Sequence, residues 1–231
     1  MKATRTVFVV LTLVASSSRV ASAQQLEPRP VPTRPVESFT FQSPSMGVRY
    51  GVNVGLPSGY KPGGTTKYGA LITTDGDAFF SDVHEGAVHL DGIIEPLFIV
   101  SIGVPRSDGE QEHTRRRVYE FSPPDWDMKD PFGQAVTGLC KELKFAEGKC
   151  TGGASRFLNA IVSELIPMIA AKYPIDRENL GLFGISAGGF FTTWAMFQPN
   201  VPFKKYLISS PAMAYGDGEA FRLEEKFAKE H

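Results

Sequence analysis

Apolar and polar positions along the chain mark a succession of short strands and amphipathic helices. Val48 to Leu56 alternates with period two and stops at Pro57-Ser58-Gly59, as expected of a half-buried strand meeting a turn. Tyr68 to Thr73 is a short apolar strand closed by Asp75-Gly76-Asp77, and a mixed, partly helical segment follows from Ala78 to Leu90. Leu97 to Ile102 is a continuous apolar run between Pro96 and Gly103, the pattern of a strand covered on both faces. Asp108 to Gly153 reads as a long polar, irregular excursion or lid, broken by Pro123, Pro124 and Pro131. Phe157, Ile161, Leu165, Met168 and Ile169 then recur at helical spacing, with Pro167 bending the last turn. Leu180 to Phe183 gives a strand, a helix runs through Phe190, Trp194 and Phe197, and Lys205 to Ser209 is a further strand. Ala220 to Lys229 is a charged helix with Phe221, Leu223 and Phe227 on its expected buried side. This alternation predicts an α/β fold with a mainly parallel sheet, and no internal repeat is visible.

Residues 1–23 stand apart. Lys2 and Arg5 precede the apolar run Val7 to Ala15, and Ala21-Ser22-Ala23 offers a small-x-small cleavage site before Gln24. That is the layout of a secretory signal peptide; the competing reading, an uncleaved anchor, needs a longer apolar run. The expectation is a periplasmic or secreted protein without stable membrane insertion after cleavage. Residues 24–35 carry four prolines and few large apolar side chains, so they read as an extended tether. Residues 36–231 are expected to form one α/β domain.

A net charge of -1 gives no sign of a nucleic-acid partner. Arg115-Arg116-Arg117 is the densest basic cluster and is expected to be a solvated loop end. Cys140 and Cys150 suit a disulfide in an oxidising compartment and lack the second ligand pair of a zinc site. Nothing in the sequence implies a cofactor or a bound metal, and it is silent on oligomeric state.

The chemistry concentrates at Gly184-Ile185-Ser186-Ala187-Gly188. This G-x-S-x-G lies between an apolar strand and an amphipathic helix, the context of a nucleophile elbow, although a plain tight turn containing serine has the same five letters. At an elbow Ser186 is the nucleophile and the Ala187 N–H is one oxyanion donor. The second donor is expected after an earlier strand, at Asp77 or next at Gly76, unless Asp75-Gly76 is only a turn.

Several stretches together, among them GVNVGLPSGY, ALITTDGDAFF, PLFIVSIG, RRVYEFSP, GGASRFLNAIVSELIP, YPIDRENLGLFGISAGGFFTTW and FKKYLISSPAM, resemble the "Putative esterase" family of α/β-hydrolases. That group contains enterochelin-type siderophore esterases, related acyl esterases and mycolyltransferases. The resemblance implies an exported serine hydrolase with Ser186 as nucleophile, Ala187 and Asp77 as oxyanion donors, and a small-molecule ester as partner. An aspartate at 77 departs from the apolar or bulkier residue expected there. The resemblance also puts the acid and the histidine after two further strands, so the chain is expected to be a C-terminally incomplete, inactive fragment. The histidines present offer weak alternatives. His231 is the only one after Ser186, His113 is expected to be exposed in a polar loop, and His84 and His89, with Asp82, Glu85 and Asp91, read as a solvated helix face. An acyltransferase and a non-catalytic binding protein of the same fold are the competing functions.

Overall fold

A computed structural model describes residues 33–230; the expected signal peptide, nearly all of the tether and His231 lie outside the described residues. Six strands form one mixed sheet: β1 (Val36–Gln42), β2 (Arg49–Gly55), β3 (Tyr68–Thr73), β4 (Leu97–Gly103), β5 (Ile175–Ile185) and β6 (Phe203–Ser209), in the spatial order β1-β2-β4-β3-β5-β6. β4, β3, β5 and β6 run parallel, while β1-β2 and β2-β4 are antiparallel. This is an α/β-hydrolase-type sheet. β1 is an element the sequence reading passes over, although VESFTFQ alternates with period two.

Side-chain alternation divides the sheet between two cores. Leu71 of β3 and Ile99 of β4 face α1 (Gly76–His89), which buries Phe80 and Ala87 against them. Their neighbours Ala70, Ile72, Phe98, Val100 and Ile102 point the opposite way, into the larger core. Helices α4 (Ala154–Asn159), α5 (Ile166–Lys172) and α6 (Ala187–Met196) close that side with Phe157, Ile169, Phe190 and Phe191.

Where a structureless lid was expected over 108–153, the chain forms two helices, α2 (Gly109–Glu120) and α3 (Pro131–Glu142), after a 3-10 turn at Arg106–Asp108. Pro131 starts α3 where its missing N–H costs nothing, and Asp130 caps it by accepting from Phe132 N and Gly133 N at 3.0 and 2.9 Å. α2 is largely polar, and besides its buried Val118 it is docked by polar contacts to other segments, Arg116 Nη1 to Arg49 O at 2.7 Å and Tyr50 Oη to Glu120 at 2.8 Å among them. Arg116 is buried and donates to Glu120 Oε1 at 2.7 Å. The three arginines are therefore no solvated loop end: Arg115 donates to Leu143 O and lies over the Phe145 ring at 4.3 Å, while Arg117 reaches Asp75. The Cys140–Cys150 disulfide, with Cα atoms 5.8 Å apart, ties the end of α3 to the strand of chain leading into α4.

Three further expectations change. Between α4 and α5 the backbone widens into a π segment, Ala160–Leu165, just before Pro167. The altered phase turns Ile166 and Ile169 inward and leaves Met168 38 % exposed. On the last helix, α7 (Glu219–Glu230), Ala220 is buried, but Phe221 and Phe227 are 61 % and 49 % exposed instead of covered. At the other terminus the end of the tether is fixed to the domain. Arg34 pairs with Asp91 at 2.9 Å, and Pro35 O accepts from Leu56 N.

Candidate active site

β5 ends at Ile185, and one residue later α6 begins. Ser186 makes that reversal with φ 57° and ψ -118°, a left-handed conformation unfavourable for a residue with a Cβ. Hydrogen bonds hold it there: Ser186 N donates to Ser209 O at 3.0 Å, and Ser186 O accepts from Phe190 N and Ala212 N at 3.0 and 2.9 Å. Small residues make the approach possible. A Cβ on Gly184 would stand 2.1 Å from Gly188 O, and one on Gly189 would stand 2.9 Å from Ser209 O. Ser186 is consequently exposed at the C-terminal end of the parallel strands, while Ala187 beside it is buried. The Ala187 N–H belongs to the first turn of α6, whose N–H groups lack intrahelical acceptors and whose dipole favours a nearby anion.

The loop after β3 comes directly against this turn. A Cβ on Gly188 would lie 2.5 Å from Thr74 Oγ1 and 3.2 Å from Asp75 Oδ2. Thr74 N donates to Phe183 O at 3.1 Å, which ties the loop to β5. Asp75 has φ 53° and starts α1: its carbonyl accepts from Ala78 N and Phe79 N, leaving the Gly76 and Asp77 N–H groups unused inside the helix. Ala187 and Asp77 thus both sit at helix N-termini on adjoining segments. Beside Asp77 opens a cavity of about 420 Å³, lined in part by Arg106, Glu110 and His113.

Asp75 and its partners are the site residues that sequence reasoning missed. The Asp75 carboxylate is buried and accepts from Arg117 Nε and Nη2 at 2.7 and 3.0 Å. Burial pushes its pKa up, and Arg117 opposes that. His113 is on α2 rather than in an exposed loop, and its buried Nε2 lies 3.7 Å from Asp75 Oδ1, beyond hydrogen-bond length. Two turns further along α2, Glu120 accepts from Tyr50 Oη at 2.8 Å and from Arg116, whose guanidinium stacks 3.9 Å from the Tyr50 ring centre. Burial raises Glu120 to about 7 against the pull of Arg116, and raises Tyr50 as well. The signal for these pairs was the Arg116-to-Glu120 spacing of one helical turn in RRVYEFSP.

Among the described residues, neither His84 nor His89 bonds Ser186. His84 is buried instead of solvated: it stacks on Phe80 at 5.3 Å and fits because residue 55 is glycine, where a Cβ would lie 2.2 Å from the ring. Burial lowers its pKa. His89, Asp82, Glu85 and Asp91 are exposed, and Asp91 belongs to Arg34. Among the described residues no side chain hydrogen-bonds Ser186 Oγ, and no three His, Cys, Asp or Glu side chains gather as metal ligands.

The same chain order and geometry recur in known proteins. Residues 43–216 match the family model described as "Putative esterase". A curated relative, the siderophore triacetylfusarinine C esterase of Aspergillus fumigatus, is 27 % identical over 195 residues, covering 80 % of this chain and 59 % of its own length. The chain therefore spans about three fifths of that relative. Among solved structures, the BES protein of Bacillus cereus aligns with TM-score 0.65 and 26 % identity over 90 % of this chain and 72 % of its own. The siderophore hydrolase EstA of Aspergillus nidulans shares the fold at TM-score 0.67 and 20 % identity, over 89 % of this chain and 68 % of its own. With three quarters of its sequence inside the family model, its elbow at Ser186 and its mainly parallel sheet, the chain belongs to the "Putative esterase" family of α/β-hydrolases.

Proposed function

We propose that this protein is an exported carboxylic-ester hydrolase acting through a Ser186 acyl-enzyme on small-molecule esters of the siderophore type or similar acyl esters. The observation that carries the reading is the left-handed Ser186 at the β5–α6 reversal, with the Ala187 N–H at its side. Ser186 Oγ adds to the ester carbonyl, and its proton passes to a base that the family resemblance assigns to a histidine after two further strands with no counterpart in this sequence. The tetrahedral oxyanion is held by the Ala187 and Asp77 N–H groups, each such donor contributing on the order of 10²- to 10³-fold in rate. Collapse expels the alcohol, which takes up a proton, and water then attacks the acyl group and restores the serine. An alcohol in place of that water makes the same intermediate an acyltransferase. The signal-peptide pattern of residues 1–23 supports export, and the names of the relatives support the siderophore class.

Release of p-nitrophenolate from p-nitrophenyl acetate by the complete protein, its C-terminal acid and histidine included, tests the reading. Ser186→Ala should abolish enzyme-dependent release, and equal rates for the two proteins would remove the serine from the mechanism. A second reading, a non-catalytic binder of the same ligands, draws on the absence of a base bonded to Ser186 among the described residues. Ligand binding without Ser186-dependent release would favour it. N-terminal sequencing of the exported protein should begin at Gln24.

A further inference from the structure

The loop that carries Asp77 does not stand alone; a buried carboxylate anchors it to α2. Asp75 holds a left-handed conformation that a free aspartate visits seldom, and its side chain is 2 % exposed. Both oxygens are taken by one planar guanidinium, from Arg117, at 2.7 and 3.0 Å. Such a fork fixes orientation as well as distance, which a single point charge does not. Arg117 is itself seated: its guanidinium carbon is 5.7 Å from the Phe121 ring centre, and Phe121 packs on Phe157 and Phe191 in the main core. The geometry therefore runs from core to α2, through Arg117 to Asp75, and on to the N–H two residues later. The same carboxylate lies over the first turn of α6 beside Gly188, so it also sets the spacing between the two oxyanion donors.

We infer that Arg117 and Asp75 are positioning residues that hold the Asp77 N–H in register with the Ala187 N–H, an inference resting on the serine-esterase reading above. Neither touches the reacting atoms. Their effect falls on stabilisation of the oxyanion, a species absent from the bound ester, so it appears in kcat rather than KM.

The test uses the complete protein, its C-terminal acid and histidine included, with p-nitrophenyl acetate and three substitutions. Arg117→Ala should lower kcat on the order of 10- to 100-fold with KM within about twofold, since a displaced donor costs about that much. Added guanidinium chloride at non-denaturing, millimolar concentration should recover part of the rate in Arg117→Ala and none in wild type. Arg117→Lys keeps the charge and loses the fork; at an unchanged urea midpoint it should still lower kcat at least about fivefold. Arg115→Met, on the same helix but bonded to Leu143 and Phe145, should leave kcat within about twofold. If Arg117→Ala does not fold, Arg117→Lys decides. Ser186-dependent release with kcat undiminished in the Arg117 variants overturns the clamp while leaving the serine reading intact. Equal release by wild type and Ser186→Ala removes both.

Discussion

Replacing Gly184 with alanine should damage stability and catalysis together. The added carbon falls 2.1 Å from Gly188 O, 2.3 Å from Gly188 C and 2.5 Å from Thr192 Oγ1. Ordinary non-bonded contacts begin beyond roughly 3 Å, so the first turn of α6 must retreat from β5 by about 1 Å. Side-chain rotation cannot relieve the clash. Two of the obstacles are backbone, and Thr192 Oγ1 is bonded to Gly188 O at 2.9 Å. Overpacking of a dense interior costs about 1–3 kcal/mol, and a backbone obstacle puts this case near the top of that range. With a urea m-value of about 2–3 kcal/mol/M for a domain of this size, the midpoint should fall by about 1 M. Trp126 and Trp194 are buried, so their fluorescence can follow the transition. The retreat also moves the Ala187 N–H relative to Ser186 Oγ, and a 1 Å misplacement costs about 100-fold in ester turnover. Gly138→Ala is the comparison, because that position is exposed on α3 with nothing within 4 Å; it should gain about 0.5–1 kcal/mol. A Gly184→Ala protein with a midpoint within about 0.2 M of wild type and an unchanged rate would refute the packing account of the elbow.

Two predictions concern stability alone. Cys140 and Cys150 close a loop ten residues apart in sequence, for which chain entropy gives about 3 kcal/mol. Reduction should lower Tm by about 5–10 °C in a domain of this size, and calorimetry showing no change on reduction would contradict it. The folded Glu120 carboxyl keeps its proton up to about 7, whereas the unfolded one loses it near 4.5. Between those values the folded state binds the extra proton, so this group's contribution to stability falls as pH rises. Measured against Glu120→Gln, wild type should therefore lose up to about 3 kcal/mol of relative stability between pH 4.5 and 7. A pH-independent difference between the two proteins would rule out a proton on Glu120.

Elements stabilised by apolar burial were readable from the chain. β3 and β4 fall within a residue of the runs Tyr68–Thr73 and Leu97–Ile102, and the strand-to-helix turn at Ser186 follows from glycine spacing. α2 was not readable in the same way. GEQEHTRRRVYE has no apolar stripe, and its polar groups find partners on other segments, Arg116 at Arg49 O, Glu120 at Tyr50 and Arg117 at Asp75, contacts that exist only in three dimensions. Local pattern misled in the opposite sense at α7, where a helical spacing of phenylalanines suggested burial and Phe221 lies on the surface. At Met168 the periodicity was sound until a π segment changed its phase. In the candidate site Ser186 and its glycines were legible. The Arg117–Asp75 pairing, with partners 42 residues apart in sequence, was not.

The bond from Ser186 N to Ser209 O has a consequence for the order in which the molecule assembles. Ser209 is the last residue of β6, and Ala212, which donates to Ser186 O, lies just beyond it. Of the three hydrogen bonds that hold the strained conformation of Ser186, the one from Phe190 N comes from α6, whereas the other two need β6 paired with β5 and the chain turned at Pro211. The turn at Ser186 thus takes its final shape only with a segment that follows it in sequence. Local opening of β6 in the folded protein would remove those two bonds while β3, β4 and β5 stay paired, so the turn at Ser186 would loosen without global unfolding.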